Sequence, residues 1–375
     1  MSSYYNDTLD KQIKSRIIEN INGLDIHFLE SGDNNSKNGL IVLLHGFPEL
    51  SYSWRKIITT LSNKGFHVIA PDQRGFGRTV GADFSYDADL KLYNHDNLSR
   101  DVFCLVKQLG YNKVKCIVGH DSGSAVAGFS ALSNPSFFEN LIMMSAPYSG
   151  ISDFSKTKKD TYIPSTDLID IELALLSHPK KHYQSYYRQP NANDEIMNCK
   201  GGLTSFFRGY YHYKSADWKK NKPTELSQWS AAELSKMPTY YIMNKNETMS
   251  DTVLNNMPSI EEIKNCHWLT QEEILIYSKE YNRTSFQGGL NWYRASVDFD
   301  NLKSLSVYNN SKITIPSLFI AGENDWGIFQ KPGAIDQMQK NSTNFKGIHL
   351  IKNAGHWVQQ EKPKEVSQKI LDFLN

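Results

Sequence analysis

Asp121 stands between two glycines, each two positions away, in the stretch Val118-Gly119-His120-Asp121-Ser122-Gly123. A strand-to-helix turn sharp enough to expose a nucleophile has room only for small residues at those offsets, because larger side chains would meet neighbouring backbone. Ser122 is one place out of register, so this is not a serine site of the same kind. A carboxylate at the apex can attack an electrophilic carbon and form a covalent ester. The N-terminus of the helix that follows favours its ionised form. The plainer alternative is that Asp121 only caps that helix.

Three further segments supply what a carboxylate nucleophile needs. His45-Gly46-Phe47-Pro48 follows an apolar run. In a hydrolase core such a loop lends a backbone N–H, here that of Phe47, to an oxyanion hole whose second donor is the N–H of Ser122. The sequence leaves the isomer of the bond before Pro48 open. Ala321-Gly322-Glu323-Asn324-Asp325 and Asn353-Ala354-Gly355-His356-Trp357 each close a further apolar run. They place an acid and then a histidine after the nucleophile in chain order. His356 can take a proton from water, and Asp325 can fix its tautomer and stabilise the imidazolium. Glu323 is the rival acid; Asp325 is preferred because it lies further out on its loop. Other histidines, such as His27, His67, His182 and His212, read as packing or surface residues.

The elements that must position these groups follow from the apolar pattern. Runs at 39–45, 66–70, 114–118 and 141–144 are short and continuous, as expected of strands buried on both faces of a parallel sheet. Leu98, Val102, Leu105, Val106 and Leu109 share one helical face, which Gly110 ends. Helices are also expected over 51–61 and 125–132. The rhythm stops near Tyr148 and resumes with runs at 315–321 and 348–351 and a helix from Pro363 to Leu374. Between them lies a Tyr-, Trp-, Lys- and Asn-rich stretch without apolar strand runs, with helical patches at 169–176 and 271–277. The simplest organisation is an α/β domain, a mostly parallel doubly wound sheet, in two parts (1–148 and 301–375) around an inserted helical cap (149–300).

A net charge of +1 over 375 residues gives no electrostatic footprint for nucleic acid. No apolar run approaches the ~20 residues of a membrane span. Cys104, Cys116, Cys199 and Cys266 are widely spaced and form no CxxC pair, so free thiols are expected rather than disulfides or zinc ligands. The polar opening MSSYYNDTLDKQIKSR has no apolar leader core. A cytoplasmic protein is expected.

Five segments carry a resemblance: HGFPELSYSWR (45–55), PDQRGFGRT (71–79), GHDSG (119–123), GGLNWYR (288–294) and AGHWVQQEKP (354–363). Together they resemble the epoxide hydrolases of the α/β-hydrolase superfamily, the Asp nucleophile combined with LNWYR being the specific part. The resemblance implies an α/β-hydrolase fold and an epoxide hydrolase forming a vicinal diol through an ester on Asp121. His356 and Asp325 complete the triad. The partners are a small apolar epoxide and water, with no metal or organic cofactor. In that family two cap tyrosines hold the epoxide oxygen. By position Tyr293 matches one and Tyr183 the other, with Tyr186 and Tyr187 open as alternatives for the second. A phenol stays protonated at neutral pH and can donate to an oxygen that gains charge. Many family members carry Trp after the nucleophile; here it is Ser122, which leaves more room beside Asp121. Haloalkane dehalogenases, which share the Asp nucleophile, supply a Trp at that place, and fluoroacetate dehalogenases an Arg, so a dehalogenase is the second reading. A serine esterase would need Ser122 or Ser124 to act out of register. A ligand-binding receptor on the same fold would be expected to carry a damaged triad.

Overall fold

The computed structural model describes residues 8–375; the first residues of the polar opening lie outside them. Ten strands are formed: β1 (Lys14–Ile21), β2 (Leu24–Ser31), β3 (Leu40–Leu44), β4 (His67–Pro71), β5 (Cys116–His120), β6 (Leu141–Met144), β7 (Lys180–His182), β8 (Ile242–Asn244), β9 (Ser317–Gly322) and β10 (Phe345–Ile351). Eight make one sheet in the order β1-β2-β4-β3-β5-β6-β9-β10. From β4 to β10 every pairing is parallel. Residues of β3, β4, β5, β6 and β9 are buried throughout, which is why they read as unbroken apolar runs.

Two features depart from the sequence expectations. An antiparallel hairpin, β1–β2, extends the sheet and pairs with β4 through β2. It is turned by Asn22 and Gly23 at φ 50° and 79°, the positive pair that a two-residue hairpin turn requires. The long insertion between β6 and β9 is mostly helical but holds a second, two-stranded sheet of β7 and β8. These strands are three residues each, too short to show a period of two. Elsewhere boundaries shift by a turn. The expected helix at 51–61 starts as a 3-10 turn, Ser51–Trp54, before the α-helix Arg55–Ser62. β5 runs on to His120, directly before Asp121. The helices His95–Gln108 and Pro363–Leu374 lie where expected, with Gly110 at φ 87° after the first.

The four cysteines are unpaired, Cys116 and Cys199 buried and Cys104 and Cys266 partly so. Among the described residues no helix is long and apolar enough to cross a membrane. His27 and His67 are not mere packing: they sit buried against Asp72 (2.7 Å) and Glu30 (2.8 Å).

Candidate active site

Asp121 lies in the turn between β5 and the helix Ser122–Ser133, at φ 53°, ψ −124°. Nothing but glycine fits at the bracketing positions. A Cβ on Gly119 would lie 2.1 Å from the Gly123 carbonyl oxygen, and one on Gly123 2.4 Å from that of His45. The strained backbone at Asp121 is therefore imposed by tight packing of its neighbours and lifts the carboxylate off the sheet edge. Its Oδ1 accepts the Phe47 N–H at 3.1 Å. The Phe47–Pro48 bond is cis. Ser122 N–H opens the helix on the other side of the carboxylate.

The other oxygen, Oδ2, is 3.3 Å from His356 Nε2, an approach not aligned as a hydrogen bond, since Nε2 has no hydrogen-bond partner. His356 Nδ1 lies 3.1 Å from each oxygen of Asp325. Asp325 is buried at the end of the turn after β9, where it also accepts the Gly327 N–H at 2.7 Å. An N–H on Nδ1 pointing at that carboxylate leaves Nε2 as the basic nitrogen, facing Asp121. Glu323, the rival acid, is exposed to solvent. Ser124 Oγ is buried and donates to the Ala146 carbonyl at 2.6 Å. Ser122 Oγ is buried without a hydrogen-bond partner. Neither serine contacts His356.

Electrostatics separate the roles of these groups. Burial works to raise the Asp121 carboxyl, but the His356 contact and the charges of His356, Lys214 and His120 outweigh it and hold the group far below the usual carboxylate range. Asp325 is likewise held low against burial by His356, the Gly327 N–H and Lys214. Both acids are therefore ionised at neutral pH.

The loop carrying His356 is fixed from three sides. Its own N–H donates to the Lys214 carbonyl at 2.9 Å. The flanking Gly355 and Trp357 N–H groups donate to Glu361 at 2.9 and 3.1 Å. The His356 carbonyl accepts His120 Nε2 at 2.7 Å, and His120 Nδ1 meets Glu49 at 2.6 Å. Glu49 in turn accepts both Gln359 and Gln360 at 2.9 Å. Burial opposes charge on His120 and Glu49, but each partner holds the other ionised. Sequence reasoning gave Glu49, His120 and Lys214 no role, although the first two stand inside the quoted segments.

Of the clustered tyrosines, Tyr183 and Tyr293 face each other with ring centroids 6.0 Å apart. Burial is the main cause that raises both phenols well above the ordinary value, and the Asp121 charge adds to it. Tyr183 OH donates to Gln330 Oε1 (3.0 Å) and accepts from Gln184 Nε2 (3.1 Å). Tyr187 packs on Phe47 and Tyr293, and its hydroxyl is spent on Tyr210 (3.2 Å). Tyr186 turns its ring to Lys181. A cavity of about 290 Å³ reaches Phe47, Ser122 and Tyr293, and one of about 530 Å³ reaches Gly327 and Gln330; Gln184 lines both. A buried carboxylate, a base aligned by a second acid and two neutral phenols is the equipment for covalent displacement at carbon followed by hydrolysis.

Fold and site together define a hydrolase of the α/β class whose turn carries Asp in place of Ser. The family model for the alpha/beta hydrolase fold matches residues 39–363, and the chain belongs to that family. Its relatives narrow the comparison. It is 28% identical to "Epoxide hydrolase B" of Mycobacterium tuberculosis, over 95% of this chain and 97% of that protein. It is also 28% identical to "Epoxide hydrolase 3" of Siraitia grosvenorii, over 95% and 96%. Among solved structures, an epoxide hydrolase from an endophytic Streptomyces superposes with a TM-score of 0.77 at 26% identity, covering 97% of this chain and 96% of that one.

Proposed function

We infer that the chain is an epoxide hydrolase and that Asp121 is its nucleophile. Asp121 Oδ2 attacks an epoxide carbon, the ring C–O bond breaks, and the oxygen takes a proton from Tyr293 or Tyr183. The product of this half-reaction is an ester of Asp121. His356 then removes a proton from water, and the hydroxide attacks the Asp121 carbonyl carbon. The tetrahedral oxyanion forms on the oxygen already held by the Phe47 N–H, with Ser122 N–H as the second donor. Such donors are typically worth about 3–4 kcal/mol each. Collapse breaks the bond between the carbonyl carbon and the ester oxygen, and the diol leaves with the proton returned from His356. The observation that carries this reading is that the two oxygens of Asp121 are already sorted, Oδ1 on Phe47 N–H and Oδ2 beside His356.

The insertion at 149–300 is the cap that carries both phenols over the nucleophile, and the flanking segments 1–148 and 301–375 form the core. The aromatic surroundings of Phe47, Tyr187 and Tyr293 suit a small apolar epoxide. The cytoplasm is the proposed compartment, on the strength of unpaired cysteines.

The test is diol formation from a panel of aryl and alkyl epoxides. Wild type is expected to turn over at least part of the panel. Tyr293→Phe and Tyr183→Phe are each expected to slow ester formation by roughly 10²-fold, the effect of removing one donor to a developing oxyanion. Tyr183→Phe also frees Gln330 from its phenol contact. An unchanged rate in both variants would remove the phenols from the mechanism. No diol from any epoxide with folded wild type would overturn the function.

A further inference from the structure

Lys214 ends the cap helix Gly202–Lys214 and is only 3% exposed. Its ammonium sits among four aromatic rings, those of Tyr210 (5.4 Å), Tyr240 (5.8 Å), Tyr241 (4.8 Å) and Trp357 (5.3 Å). Among the described residues Nζ makes no hydrogen bond and no ion pair. Burial pulls its ammonium below the ordinary lysine value, and the charges of Asp121, Asp325 and Glu49 push the other way. A lysine this enclosed is costly unless its charge is used. Cation–π attraction to several rings offsets part of the cost, and the rest is offset by the carboxylates of the site. The same residue is tied to the base through the backbone, since its carbonyl receives the His356 N–H at 2.9 Å.

We propose that Lys214 is a positioning residue for the second half-reaction: its caged positive charge keeps His356 unprotonated between two carboxylates, so that the imidazole is a base when water must be activated.

The need for such a charge follows from what faces His356. Asp121 approaches one nitrogen and Asp325 the other. Both draw a proton onto the ring, and an imidazolium cannot deprotonate water. The His120–Glu49 pair behind the loop is mutually compensated. The phenols Tyr210, Tyr240 and Tyr241 are kept neutral by burial. Lys214 is therefore the cation that balances the second carboxylate. Once Asp121 is esterified and neutral, Lys214 and Asp325 cancel, and the ring is left free to accept the proton of water.

This inference rests on Asp121 and His356 acting as proposed above, and the experiment separates the two. Ester formation and ester hydrolysis are followed by rapid quench and intact-protein mass measurement from pH 5 to 9, in wild type, Lys214→Met, Lys214→Gln and Lys214→Arg. With methionine or glutamine, ester formation is expected to hold or quicken, because Asp121 loses a stabilising cation. Hydrolysis is expected to slow, with its acid limb moved up by about one pH unit, a ~10-fold loss on that limb. The alkyl-enzyme then accumulates near pH 7. Arginine, which keeps the charge, is expected to restore the wild-type profile. An unmoved acid limb in whichever neutral variant folds, or equal slowing of both steps, would overturn the role of Lys214. Absence of any ester on wild type and on His356→Gln would instead overturn the underlying mechanism. Glutamine keeps a polar end, so the measurement stands if methionine does not fold.

Discussion

Replacement of Asp121 by alanine is expected to lower diol formation by about 10⁴-fold or more, the usual loss when a covalent nucleophile is removed from a preorganised site. No neighbouring group can substitute. Ser124 is bound to the Ala146 carbonyl, and neither Ser122 nor Ser124 contacts His356. Fold is expected to survive, with two opposing effects on stability. Alanine at φ 53° costs about 1–2 kcal/mol in the positive-φ region. Against this, a buried carboxylate disappears. Its native ionisation is favoured, so its own contribution is present at neutral pH and lost as pH falls through the acid range. Thermal unfolding beside the activity assay separates loss of the nucleophile from loss of structure. Diol formation within tenfold of wild type would exclude Asp121.

His356→Gln is expected to divide the reaction in two. Asp121 is ionised without help from a base, and Oδ2 remains free to attack, so ester formation continues. Water activation stops, and turnover falls by about 10⁴-fold, as when the base of a triad is lost. A stoichiometric burst of epoxide consumption followed by arrest is the expected time course, with the added substrate mass on the protein. Glutamine nearly fills the imidazole volume, and the loop has its own restraints in Lys214, Glu361 and His120. A wild-type steady rate, or arrest without any adduct, would show that His356 does not serve the hydrolytic step.

The catalytic turn was legible because its demands are local. Gly119, Asp121 and Gly123 meet the steric limits of one sharp turn, and β3, β4, β5 and β6 are read from unbroken apolar runs. The choice of Asp325 over Glu323 rested on loop position, and burial at the end of β9 gives the physical reason. The hairpin β1–β2 was missed although Asn22-Gly23 is a strong local signal, because β1 is mostly exposed and carries charge. Tyr183, Tyr186 and Tyr187 could not be ranked from sequence. They share one helix of five residues, and only its docking decides that Tyr183 meets Tyr293 while Tyr187 is spent on Tyr210. Lys214, Glu49 and His120 escaped notice for the same reason: each matters through partners brought together by the tertiary fold alone.

The covalent route makes a claim that labelled water tests directly. In a single turnover in ¹⁸O water, the oxygen added to the carbon of the epoxide comes from Asp121, and the oxygen of water stays on the enzyme. The account predicts an unlabelled diol and one ¹⁸O on the peptide containing Asp121. Label in the diol and none on that peptide would contradict it, because water would then have attacked the epoxide itself.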